Sequence, residues 1–224
     1  MDFFDTFLNM AVLKRSFPML MQGLIVTLQL GATSIVTGLA LGLAVAMMRL
    51  YSVAPVRILM RIYIDIFRSI PLLVLLIVVY YALPFVGLRL SSFASVLAAL
   101  TLVSSAYTAE IFRAGIEAIP KGQFEASEAL GLRPRQTLAN VILPQAIRIV
   151  IPPLTNNSIN VIKDTALASV VAMPDLLKQA TQAQALAANP TPLIGAALIY
   201  IAFLWPLVLL VSHLEKRFNS GRKA

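Results

Sequence analysis

Asn156, Asn160, Lys163 and Asp164 follow one another at offsets of four, three and one in the stretch "PPLTNNSINVIKDTAL", and Asn157 lies seven residues before Asp164. On a helix these residues share one broad face. Long apolar runs surround the stretch, and an ionisable group in such a setting is expensive unless it lines a cavity or finds a partner. Lys163 and Asp164 are adjacent, so they point about 100° apart and need not pair. A cavity that offers Asp164 to an ammonium group, and Lys163 or the asparagine amides to a carboxylate, complements a small solute carrying both charges. The alternative is structural, with Lys163 and Asp164 bonded to neighbouring helices. Arg68 and Glu110 are two further charges at the edges of apolar runs. Arg68 either snorkels to headgroups or pairs with Glu110 or Asp164 as part of a gate. Glu110 and Arg113, three residues apart, can pair on one helix. Thr101, Ser104, Ser105 and Thr108 form a polar stripe that either packs or faces the same path.

Other chemistries are excluded. The chain has no cysteine, which removes disulfides, zinc–thiolate sites and thiol catalysis. Its one histidine, His213, has no second ligand beside it. No glycine-rich stretch ends in GKS or GKT, so the chain does not hydrolyse ATP itself. No nucleophile elbow is present, and no basic stretch is interleaved with aromatics in a way suited to nucleic acid.

The elements that position the cluster follow from hydropathy. The chain has 224 residues, 59% hydrophobic and only 12% charged, about half the charge of a soluble domain. Five runs approach the roughly 20 apolar residues that a spanning helix needs. They are 18–48, 56–83, 91–112, 147–171 and 193–214. Thr27, Gly31, Ser34, Gly38 and Gly42 in the first suit close packing of helices in lipid. Pro71 bends the second or sits in its first apolar turn. The fourth is expected to begin near Pro152 and Pro153. The fold class is an all-α integral membrane protein, and residues 1–224 form a single transmembrane domain.

The net charge of +8 sorts by loop. Arg49, Arg57 and Arg61 follow the first run. Arg113, Lys121, Arg133, Arg135 and Arg148 follow the third, and Lys216, Arg217, Arg222 and Lys223 follow the fifth. The opposite loops carry little beyond Arg89 and Lys178. The positive-inside rule then places the N-terminus outside and the C-terminus in the cytoplasm. Lys14 and Arg15 oppose this, and "FFDTFLNMAVLKRSF" is expected to form a short amphipathic helix on the outer surface. The acidic N-terminus does not look like a signal peptide, so the first helix is expected to stay.

One segment, about 121–146, is polar and helix-prone: "KGQFEASEALGLRPRQTLANVILPQA". Residues 123–130 favour a helix. Gly131 can end it in a left-handed C-cap, and Pro134 can open a second at its first turn. Thr137, Leu138, Val141 and Ile142 form an apolar stripe at helical spacing. The unit is either a knob that enters a partner's groove, with Glu125 as anchor and small Ala126, Ser127 and Ala129 allowing close approach, or an amphipathic loop lying on the bilayer.

The spacing "EASEALGLRPRQTLANVILP" resembles the EAA loop of ABC-importer permeases. Glu125, Ala126, Gly131, Leu143 and Pro144 match that pattern. Ser127 stands for its second alanine and Val141 for its isoleucine. The stretches "FRSIPLLVLL", "AEIFRAGIEAIPKGQFEA" and "LPQAIRIVIPPLTNNSINVIKDTAL" look like permeases of the polar amino acid uptake group. The resemblance implies a type I importer fold in the bacterial inner membrane and a coupling helix that docks on an ABC ATPase. It implies two ATPase subunits, with ATP and magnesium bound there and no cofactor in this chain. It further implies a second permease, copy or paralogue, and an extracytoplasmic amino-acid-binding protein. The rival expectation is a stand-alone ion-coupled secondary transporter or channel for small polar solutes, although no internal repeat supports it.

Overall fold

The computed structural model describes residues 3–219, with side chains from 5 to 216. Arg222 and Lys223 of the C-terminal basic group lie outside the described residues, as does the Arg217 side chain. Among the described residues every regular element is helical: α1 (Phe3–Phe7), α2 (Met10–Tyr51), α3 (Ala54–Ser69), α4 (Leu72–Ile77), α5 (Ser92–Glu117), α6 (Lys121–Ala129), α7 (Pro134–Thr137), α8 (Leu143–Asp164), α9 (Leu176–Ala187) and α10 (Thr191–Asn219). Four stretches are long and apolar enough to cross a membrane, and the bent pair of α3 with Leu72–Val86 makes a fifth if counted as one span. The all-α membrane fold expected from the sequence is therefore present.

Helix α2 corrects the expected surface helix. Asn9 caps it, its Oδ1 accepting from the amides of Ala11 and Val12 at 3.1 Å. The helix then runs unbroken through Lys14, Arg15 and Pro18. Pro18 removes one backbone hydrogen bond, but Leu13 before it and Leu20 after it pack into one apolar cluster with Leu176 and Ala196. That shared packing carries the helix across the proline.

Close approach between α2 and α5 depends on small residues. A Cβ placed on Gly42 would lie 2.5 Å from the Thr108 Cβ, and one on Gly38 would lie 2.7 Å from Ser104 Oγ. The polar stripe of α5 is thus packed on α2, with Ser104, Ser105 and Thr108 buried, and Thr101 Oγ1 is 2.7 Å from Thr37 Oγ1.

The second span is broken sharply. α3 and the helical stretch that starts with α4 meet at 101°. Pro71 is the N-cap of α4, where its missing N–H costs nothing. The fourth span differs from expectation at its start: α8 begins at Leu143, with Pro144 in its first turn and Pro152 and Pro153 inside the helix. After Asp164 the backbone tightens into a 3₁₀ turn, Thr165–Val171. Helix α9 was not foreseen, because twelve residues are too few to register as a span. Its N-cap, Asp175, is fully buried and accepts from the amides of Leu177 and Lys178 at 3.2 and 3.1 Å.

Candidate functional site

Helices α4, α5 and α8 enclose a cavity of about 290 Å³. Pockets for small ligands span roughly 300–1,000 Å³, so its size suits a small solute. Asn157, Asn160, Lys163 and Asp164 line it from α8, Ser104 and Tyr107 from α5, and Leu72 from α4. Four of the five residues expected on a common face therefore converge. Asn156, one turn before Asn160 on the same side of α8, does not line this cavity and is exposed. Asn157 is fixed by its neighbours: its Nδ2 donates to Ser104 Oγ and to Thr108 Oγ1, both at 3.3 Å. Lys163 and Asp164 form no ion pair among the described residues. Both charges remain free to meet a zwitterion.

Tyr107 was not singled out from the sequence, since one aromatic in an apolar helix carries no periodic signal. Its position three residues after Ser104 and one before Thr108, beside the polar stripe, was the available clue. The Arg68 guanidinium lies over its ring, 5.4 Å from the centroid, in cation–π geometry. Arg68 also sits in the last turn of α3, where its charge complements the helix dipole.

Glu110 takes other partners in this conformation. Its Oε2 accepts from Arg49 Nη1 at 2.7 Å, and its Oε1 pairs with Arg113. Arg113 also reaches Glu117. The network ties the last turn of α2 to α5 at the end of the bundle that carries α6. No Arg68–Glu110 pair is formed.

At that end α6 and α7 make the bent unit. The Gly131 amide donates to the Glu128 carbonyl at 2.8 Å, and the Leu132 amide to the Ser127 carbonyl at 3.1 Å. Gly131 has φ +70°. These are the two bonds of a Schellman C-cap. Pro134 opens α7, and the Arg133 amide donates to Gln136 Oε1 at 2.9 Å. Ile142 packs with Ile119 and Ala146, while Leu138 and Val141 flank them. The unit thus stands on its apolar stripe, with Glu125, Ala126, Leu143 and Pro144 exposed. Ser127 is turned inward and donates to the Gln123 carbonyl at 2.7 Å, so it is no outward-facing small residue. Phe124, Leu132, Pro134 and Leu138 border an apolar groove of about 580 Å³ beside Tyr51.

The family model for the binding-protein-dependent transport system inner membrane component matches residues 38–220. The chain belongs to this family. It is a membrane-spanning permease of an ABC importer, a class in which separate subunits hydrolyse ATP and a binding protein presents the solute. Family membership sets aside the stand-alone transporter or channel. The permease is 39% identical to the probable glutamine ABC transporter permease protein GlnM of Bacillus subtilis (strain 168), over 96% of this chain and all of that one. It is 35% identical to the arginine transport system permease protein ArtQ of the same organism, over 91% of this chain and 94% of that one. A crystal structure of an amino acid ABC transporter with histidines superposes with a TM-score of 0.87 at 36% identity, covering 92% of this permease and 96% of that chain. The MetNI methionine ABC transporter, inward facing, is 21% identical with a TM-score of 0.67 over 97% of this permease and 99% of that chain, a likeness of fold alone.

Proposed function

We propose that this permease carries a polar amino acid through the α4–α5–α8 cavity into the cytoplasm. The observation that carries the reading is the presence of a free carboxylate and a free ammonium, Asp164 and Lys163, on one small cavity. An α-amino acid brings one charge of each sign. The amides of Asn157 and Asn160 add neutral donors and acceptors, and Tyr107 with Arg68 covers one side. Relatives named for glutamine, cystine and arginine support the substrate class.

In this reading the chain lies in the bacterial inner membrane with its N-terminus outside and its C-terminus in the cytoplasm. Two permeases, identical or paralogous, surround one path. Two ATPase subunits, holding ATP and magnesium, dock on the α6–α7 units. Glu125 anchors the contact, exposed Ala126 allows close approach, and Ser127 and Gly131 set the bend. Leu143 and Pro144 join the unit rigidly to α8, which carries Asn157, Asn160, Lys163 and Asp164. Closure of the ATPases moves the units together and opens the cavity outward as an extracytoplasmic amino-acid-binding protein releases its ligand. Hydrolysis resets the cycle. Arg68 and the Glu110 network gate the cytoplasmic side.

The direct test is purification of the tagged chain from its own membranes in mild detergent. A stoichiometric ATPase with a Walker motif supports the importer assembly. A chain that arrives alone, under conditions that preserve known complexes, contradicts it.

A further inference from the structure

A second cavity, about 380 Å³ in volume, opens at the end of the bundle that carries α6. Arg49, Arg57, Arg61 and Arg113 line it, with Glu117 and Ile58. Two of the four guanidinium groups are neutralised, because Arg49 and Arg113 share Glu110 and Arg113 also meets Glu117. Arg57 and Arg61 are not: both are exposed and, among the described residues, neither has a carboxylate within ion-pair distance. Asp65, one turn beyond Arg61, does not pair with it. The cavity thus has two unmatched positive charges one helical turn apart.

The same helix presents an apolar row beside these charges. Ile58, Ile62 and Ile66 recur every four residues and are 60%, 49% and 53% exposed. The buried side of α3 adjoins the arginine row, where Ile64 packs with Val45, Ala46 and Ala109, and the isoleucine row lies on the far side of the arginines. One side of α3 therefore joins paired cations to a strip of hydrocarbon. A free inorganic anion would use only the cations.

We propose that this cavity binds the headgroup phosphate of an anionic phospholipid on Arg57 and Arg61, with an acyl chain laid along Ile58, Ile62 and Ile66. Guanidinium pairs match phosphate oxygens in a fork geometry, and basic residues at a membrane surface each favour anionic lipid. The site lies apart from the transport cavity and from the α6–α7 unit. It anchors the junction of α2, α3 and α5, next to the Glu110 network.

The test uses the full chain with its partner subunits, delipidated and then titrated with phosphatidylglycerol or phosphatidylethanolamine under native mass spectrometry. The wild type is expected to retain phosphatidylglycerol in preference. Arg57→Gln/Arg61→Gln is expected to bind it roughly 30-fold more weakly while its lipid-free melting temperature stays unchanged. Equal retention by both proteins overturns the proposal, as does displacement of the bound phosphatidylglycerol by an equal concentration of inorganic phosphate. In a Trp205→Phe background, Ile62→Trp fluorescence is expected to be quenched by phosphatidylglycerol brominated on its acyl chain. Absence of quenching, with residue 62 crosslinking to a second copy instead, assigns the row to a protein interface and also overturns it.

Discussion

Arg49 Nη1 stands 2.7 Å from Glu110 Oε2, and this contact fastens the last turn of α2 to α5 where the bundle meets the α6–α7 unit. Glu110 is about one-fifth exposed and holds Arg113 as well. Its removal leaves two partly buried guanidinium groups without their shared acceptor. Glu110→Gln is expected to destabilise the chain by about 1–3 kcal/mol, read as a fall in melting temperature in detergent. An unchanged melting temperature would show that the network is solvated and holds nothing.

Gly42 sets the spacing of α2 and α5. The Thr108 side chain occupies the space that a larger residue would need, and Thr108 in turn accepts from Asn157. Gly42→Val is expected to cost about 1–3 kcal/mol through overpacking and to lower uptake by displacing Asn157. Full stability and uptake would mean that α2 can back away freely.

Gly131 bends the α6–α7 unit through its backbone alone. No atom lies within 4 Å of a Cβ built there, yet φ is +70°. The cost of substitution is therefore conformational, about 1–2 kcal/mol for most residues. Gly131→Val is expected to separate ATP hydrolysis from uptake, whereas Gly131→Asn, whose side chain tolerates the left-handed region, keeps most of the coupling. Equal behaviour of the two variants would place the critical bend elsewhere.

Asp175 lies outside the spanning segments, and burial pushes its carboxyl up to about 6 from an ordinary 3.8, against the opposing effect of its amide donors. Between those two values the folded protein keeps a proton that the unfolded chain has lost. Stability is therefore expected to fall as pH rises through about 4 to 6 and to level off above. Asp175→Asn, which can still cap α9, should flatten that slope in melting curves. A slope that persists in the variant would assign it to another group.

Much of this architecture was legible because it rests on local chemistry. Gly131 and Pro134 mark the bend by backbone preference, and Asn157, Asn160, Lys163 and Asp164 declare one face by spacing. What escaped depends on packing between distant segments. Pro18 reads as a boundary, but the cluster around Leu20, Leu176 and Ala196 holds α2 straight across it. Ser127 reads as a small surface residue, but its place on α6 turns it inward. Tyr107 enters the cavity only because α4 and α8 close over α5. Asn156 shares a side of α8 with Asn160 but lies one turn earlier, and the cavity does not reach it there.

The central claim is that Asp164 faces a path used by an amino acid. Its direct measurement is ATP-dependent uptake of labelled glutamine, arginine and cystine into cells carrying the complete transporter with wild-type chain or Asp164→Asn. The account predicts uptake of at least one of them by the wild type and none by the variant, with partner subunits still co-purifying at the wild-type ratio. Undiminished uptake by Asp164→Asn would contradict it and return Asp164 to a structural role.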